Sequence, residues 1–271
     1  MNGYERAEAR DKIRKMHGTE VHWACVRLLH CLKIVIKNSH NLQKFSLNPP
    51  KIHYKLMPDI KSRIQKNDLD SEAIRLIHNF LASVKTLVDN SRRVSDKYLE
   101  SNLKEQYIEE IKMKILSDPI SLIVLKLRNY LLHVDMPSIE NQVNIETGNN
   151  TALKLCPKRL LEWSKWNSVE REYLECLVNN GEKIVVHNFF PTYTVKSEKI
   201  TCYLLKLVTQ SKGDELNALY KLNQKLIDSI KDAGNIADPL FVHFWSQNKQ
   251  YNENGAEVPL FIDGKLNILN I

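Results

Sequence analysis

Apolar and polar side chains alternate with a helical period over most of the chain. Between Glu20 and Lys37 apolar groups recur at Val21, Cys25, Leu28, Leu32 and Val35, which lines one face of a helix, with Thr19 placed to cap it. Pro49, Pro50 and Pro58 stand among polar residues between Asn38 and Lys66. Proline lacks a backbone donor and resists helix continuation, so this stretch reads as irregular. A long helix is predicted from about Ser71 to Val94, with Ile74, Ile77, Leu81, Val84 and Val88 as an apolar seam flanked by Phe80 and Leu87. On its other side Asn79, Ser83, Thr86 and Asn90 form a stripe of small polar groups, suited to a closely approaching helix, a polar cleft or a solvent face. A third helix is predicted from Asp96 to Leu116, with Leu99, Leu103, Tyr107, Ile111 and Ile115 inward. Ser117-Asp118-Pro119 ends it and opens the next: aspartate caps well and proline is favoured at the first helical position. That helix runs to about His133, and Pro137 sets its limit.

Beyond it, Gln142–Glu146 and Thr151–Leu155 flank Gly148-Asn149-Asn150 and predict a hairpin. Pro157 starts a short helix, and Asn167 with Glu170 three residues later signals the start of another. Helical patterns cover about Ser168–Val178, Thr192–Gln210 and Asp214–Lys231. Asp263-Gly264 between apolar-rich arms predicts a C-terminal hairpin. The expected fold is all-α with one or two small β-hairpins. Residues 1–19 form an N-terminal extension, 20–233 a helical domain with a hairpin inserted near 141–156, and 234–271 a C-terminal tail.

Composition changes this picture little. The 271 residues, 43% hydrophobic and 26% charged, suit a globular core and exclude a disordered or fibrous chain. The net charge of +7 is compatible with a polyanionic partner, although the basic residues are dispersed instead of forming one tract. Five cysteines without a Cys-x-x-Cys pair argue against a disulfide framework. Neither a secretory signal nor an apolar run of bilayer length is visible, so no membrane is expected and the expected location is the cytoplasm.

Chemistry concentrates in the helix from Pro119 to His133, which is apolar almost all round and belongs in a core or an interface. Against that background Lys126, Asn129 and His133 lie three and four residues apart on one stripe, with Arg128 beside them. A guanidinium holds phosphate oxygens with a planar fork of donors, imidazole passes protons near neutral pH, and an amide orients either. A helix C-terminus also favours a cation at His133. The bland alternative is an Arg-Asn-His network that only pins helices together.

Arg128-Asn129-Tyr130-Leu131-Leu132-His133 resembles the Arg-polar-x-x-x-His signature of the HEPN superfamily, and Asn79-Phe-Leu-Ala-Ser-Val-Lys-Thr-Leu-Val-Asp89 is similar to the helix that precedes it in some prokaryotic members. The resemblance covers roughly residues 20–230 in helical order and is carried by these two segments. It implies a HEPN-like helical bundle that dimerises to bring two motifs into one cleft. It also implies a metal-independent endoribonuclease, as found in toxin, phage-defence or stress systems. The expected partners are RNA, a second copy of the chain, and an antitoxin or regulatory protein. Arg128, Asn129 and His133 would be catalytic, Lys126 and Asn79 would bind RNA, and no cofactor or metal is called for. The dimer would form through the Pro119–Leu132 helix and the small residues around Ala82 and Ser83. Where some HEPN toxins carry a tyrosine two residues after the histidine, modified by a partner nucleotidyltransferase, this chain has Asp135, so the resemblance does not extend to that control. The rival expectation is a non-catalytic module that binds RNA or a protein partner.

Two further constellations carry less. His22 and Cys25 share a face without zinc-ligand spacing, and read as a surface histidine and a core thiol. Trp163 and Trp166, near Lys158, Arg159 and Lys165, could stack on RNA, but core packing is the better reading.

Overall fold

The first helix begins where Asn2 and Glu5 close a capping box: Asn2 Oδ1 accepts from the Glu5 N–H at 2.9 Å and the Glu5 carboxylate from the Asn2 N–H at 2.8 Å. The computed structural model that contains it describes residues 1–48, 60–134, 136–143, 150–232, 249–251, 257–259, 261–262 and 265–266. Among them the fold is mainly α. Its helices are α1 (Gly3–Lys15), α2 (His17–Leu47), α3 (Ile60–Tyr98), α4 (Ser101–Ile111), α5 (Pro119–His133), α6 (Pro157–Leu161), α7 (Ser168–Asn179), α8 (Val186–Ser211) and α9 (Gly213–Asp232), with a π turn, Lys112–Leu116, ahead of α5.

Three predicted boundaries need correction, each for a physical reason. The α2 helix runs ten residues past its predicted end at Lys37, into the stretch read as irregular. Its inward stripe, Leu28, Leu32, Val35, Ser39, Leu42 and Ser46, keeps the three-four spacing, but two of the six are serines. Pro49, Pro50 and Pro58 lie outside the described residues. The α3 helix is also longer than predicted, and its seam is turned: Leu87 is buried while Val88 is 39% exposed. The helix expected from Asp96 to Leu116 is three pieces. The α3 helix ends at Tyr98, α4 starts at Ser101, and the Ser117 N–H reaches back five residues to the Lys112 carbonyl at 3.1 Å.

The start of α5 agrees. Asp118 caps α5, its Oδ2 accepting from the Ser121 N–H at 2.8 Å, and Pro119 takes the first position. The α8 helix starts six residues before the predicted Thr192 and contains Pro191, which cannot donate to the His187 carbonyl. The Gln43 amide donates to that carbonyl instead, at 3.4 Å. Strands β1 (Ile139–Val143) and β2 (Asn150–Leu155) pair antiparallel, Ile139 opposite Leu155, and a two-residue strand β3 (Ile184–Val185) joins β2. Near the C-terminus β4 (Lys249–Tyr251) pairs with β5 (Glu257–Pro259), and β6 (Phe261–Ile262) with β7 (Lys265–Leu266) as the predicted hairpin. The turn residues 148–149 and Asp263-Gly264 lie outside the described residues.

The chain divides into two compact units. The first comprises residues 1–30, 90–109 and 201–271. In it Ala9 and Ile13 of α1 are buried against Leu219 and Leu226 of α9, and Gly18 of α2 touches the Glu215 carbonyl so closely that a Cβ there would overlap it. The second comprises residues 31–89 and 110–200. Its core holds Phe80, Phe190 and Tyr193 edge to face, and the α5–β1–β2–α6–α7 region.

Candidate functional site

The orientation of α5 is set by what it buries. Ile123, Val124, Leu127 and Tyr130 are buried, and the Tyr130 ring meets Trp163 edge-on at 5.8 Å and stacks on Trp166 at 6.4 Å. Trp163 and Trp166 meet at 4.8 Å, and the Trp166 indole donates to the Leu160 carbonyl at 2.6 Å. The tryptophans are therefore core. Tyr130, in the middle of Arg128-Asn129-Tyr130-Leu131-Leu132-His133, is the anchor that turns its neighbours outward.

Asn129 and His133 are exposed one turn apart, and Arg128 is half-buried beside them. At 3.6 residues per turn Arg128 and His133 stand about 140° apart around the axis, with Asn129 between them. Among the described residues none of the three makes a hydrogen bond or ion pair, so no Arg-Asn-His network pins α5 to its neighbours there. Leu132, Val134 and Met136, within three positions of His133 in the chain, are exposed by 46%, 47% and 59%. Asp135 lies outside the described residues.

Lys126 faces a different partner. Its Nζ lies 2.8 Å from Oε1 of Glu170, a carboxylate with no exposed surface, and 3.4 Å from the Lys165 carbonyl. The contact is an ion pair without a well-aligned hydrogen bond, because neither Glu170 oxygen has a directed donor. The expected pairing of Asn167 and Glu170 as a capping box is not formed. The α7 helix does start there, but the Asn167 side chain makes no cap bond and Glu170 turns inward to Lys126.

Asn79 is exposed on α3. Its carbonyl accepts from the Asn38 amide at 3.2 Å, and no described hydrogen bond joins it to Arg128, Asn129 or His133. Along the same stripe Ser83 bonds the Phe80 carbonyl at 2.7 Å and Thr86 the Ala82 carbonyl at 3.0 Å, so these hydroxyls serve their own helix.

In the first unit Cys25 is the core thiol expected, and burial pushes it up to about 12. His22 is not on the surface. It is fully buried, with Nδ1 2.7 Å from the Tyr220 hydroxyl, and burial lowers it to about 4. Among the described residues no group of three His, Cys, Asp or Glu could hold a metal, and no helix is long and apolar enough to cross a membrane. Sequence reading missed the partner of Lys126, because an ion pair 44 positions apart leaves no periodic trace. No known protein family, curated protein or solved structure matches the chain.

Proposed function

We propose that this chain is a metal-independent endoribonuclease of the HEPN type, acting as a homodimer. The observation that carries the reading is the outward set of Arg128, Asn129 and His133. These are three phosphate- and proton-handling side chains on a largely apolar helix, uncommitted to described residues of their own chain. A ribose 2′-hydroxyl attacks the adjacent phosphorus, and His133 carries the protons that leave the attacking oxygen or reach the departing 5′-oxygen. Arg128 binds the non-bridging oxygens as charge grows on them, and Asn129 orients the phosphate or the imidazole. The nucleophile belongs to the substrate, so RNA is cut and DNA is not.

The separation of Arg128 and His133 around α5 favours a second copy of the chain. Two facing α5 helices would complete the grip on one phosphate and cover Leu132, Val134 and Met136. The setting proposed is the cytoplasm, in a toxin, phage-defence or stress system, with an antitoxin or regulatory protein as partner. Lys126 would add positive charge only in part, since Glu170 neutralises it.

The test is RNA cleavage in EDTA by the wild type and by His133→Ala. The expected products are an upstream end with a 2′,3′-cyclic phosphate and a downstream 5′-hydroxyl, with the variant slowed at least a hundredfold, on the order of a lost general acid or base. A 5′-phosphate with a 3′-hydroxyl, or cleavage that EDTA stops, would overturn the reading.

A further inference from the structure

Lys196 and Lys199 stand one turn apart on α8, and Lys114 lies in the π turn just ahead of α5. The three line one cavity of about 390 Å³ together with Glu110, Ser117 and Asp118. The charge of Asp118 is already committed. Its Oδ2 accepts from the Ser121 N–H at 2.8 Å and the Ser121 hydroxyl at 2.6 Å, and its Oδ1 faces Lys196 Nζ at 2.7 Å. One carboxylate thus caps α5 and fixes Lys196 in place. Lys114 and Lys199 are exposed and make no hydrogen bond or ion pair with described residues, and Glu110 pairs with neither. Lys196 is paired with Asp118 and the Glu198 carboxylate lies in the field of Lys199, so the cations that an anion entering the cavity would meet are Lys114 and Lys199.

We propose that this cavity holds a backbone phosphate of the same RNA strand that is cut at His133, several nucleotides from the scissile bond. The inference rests on the endoribonuclease reading above. From Pro119 to His133 the α5 helix rises about 20 Å, at 1.5 Å per residue, so one phosphate at each end requires a strand of several nucleotides between them. The half-exposed Lys126 and the exposed Asn129 lie along the intervening turns. A phosphodiester suits the site because its two non-bridging oxygens, set apart on tetrahedral phosphorus, can meet Lys114 of the π turn and Lys199 of α8 separately.

The experiment compares wild type with the Lys114→Ala/Lys199→Ala double variant on two substrates: a single-stranded RNA long enough to span α5 and a dinucleotide. On the long RNA KM should rise about tenfold with kcat unchanged, and on the dinucleotide neither constant should move. In a His133→Ala background the double substitution should make the log-log salt dependence of RNA binding shallower by roughly 0.7, the value for one single-strand phosphate. An equal loss on the dinucleotide, or an unchanged KM and salt slope, would overturn the cavity assignment while leaving His133-dependent cleavage in place. Loss of the reading itself looks different: no His133-dependent cleavage of either RNA. Adenosine monophosphate binding that depends on Lys114 and Lys199, without any change toward long RNA, would overturn the assignment in favour of a free nucleotide.

Discussion

At the scale of single residues, burial decides more than residue type. His22 is a titratable group in a dry place: its pKa falls from an ordinary 6.5 to about 4 because its charged form loses solvent. The unfolded chain takes up a proton below pH 6.5 and the folded chain does so only near 4, so the folded state loses stability as pH falls through that window. The full loss is roughly 3 kcal/mol at 1.36 kcal/mol per unit. Denaturant midpoints measured from pH 7 to pH 4 should show this slope, and His22→Gln should flatten it. A midpoint of the native chain that stays constant over the window would contradict a neutral, buried His22. The expectation of a surface histidine fails because one helical face cannot place His22 outside and Cys25 inside. Both positions point into the same core, where the Tyr220 hydroxyl waits for the ring.

At the scale of elements, the sequence disclosed the order of the helices from α2 onward, left α1 unread in what was expected to be an N-terminal extension, and was least informative about helix ends. The start of α5 was legible because Asp118-Pro119 is a local signal with a local cause. The far end of α2 was not, since Ser39 and Ser46 occupy inward positions that a hydrophobicity pattern scores as polar. The third strand, β3, is two residues long and carries no alternation to read. Gly18 shows how an element can depend on an absent side chain. Replacing glycine by alanine inside a helix ordinarily gains about 1 kcal/mol. Here the added methyl meets backbone atoms of Glu215, which cannot step aside as a flexible side chain would, and such overpacking costs about 1–3 kcal/mol. Gly18→Ala should therefore lower the melting temperature. Gly213→Ala, where no atom lies within 4 Å of the new Cβ, should leave it unchanged or raise it. Equal behaviour of the two variants in a thermal melt would refute the close approach of α2 and α9.

For the whole molecule, the net charge of +7 and the exposed apolar residues next to His133 in the chain bear on different encounters. The charge favours approach of a polyanion at any orientation, whereas Leu132, Val134 and Met136 favour one particular face. Ser83 is buried and bonded within its own helix, so the α5 surface has to carry the proposed self-association without the small-residue stripe of α3. Light scattering at micromolar concentration should report a dimer. Leu132→Glu should return it to monomer and abolish RNA cleavage while circular dichroism stays that of the wild type. A wild-type chain that is monomeric with and without RNA would remove the composite cleft. The candidate site was legible as residue types on one helix. That Lys126 is held from below by Glu170, and that a lysine-lined cavity opens at the start of α5, depended on contacts distant along the chain.

The Lys126–Glu170 pair also constrains how this chain can vary through descent. Replacing Lys126 alone strands a carboxylate with no exposed surface, a change that costs about 3–5 kcal/mol, whereas apolar groups of similar size at both positions are close to neutral. The two routes are unequal: losing Glu170 first leaves a partly exposed Lys126 that solvent and the Lys165 carbonyl still serve, whereas losing Lys126 first strands Glu170. Among sequences descended from a common ancestor with this one, a neutral residue at 126 should be found only where 170 is neutral too, while a lysine at 126 beside a neutral 170 is tolerated.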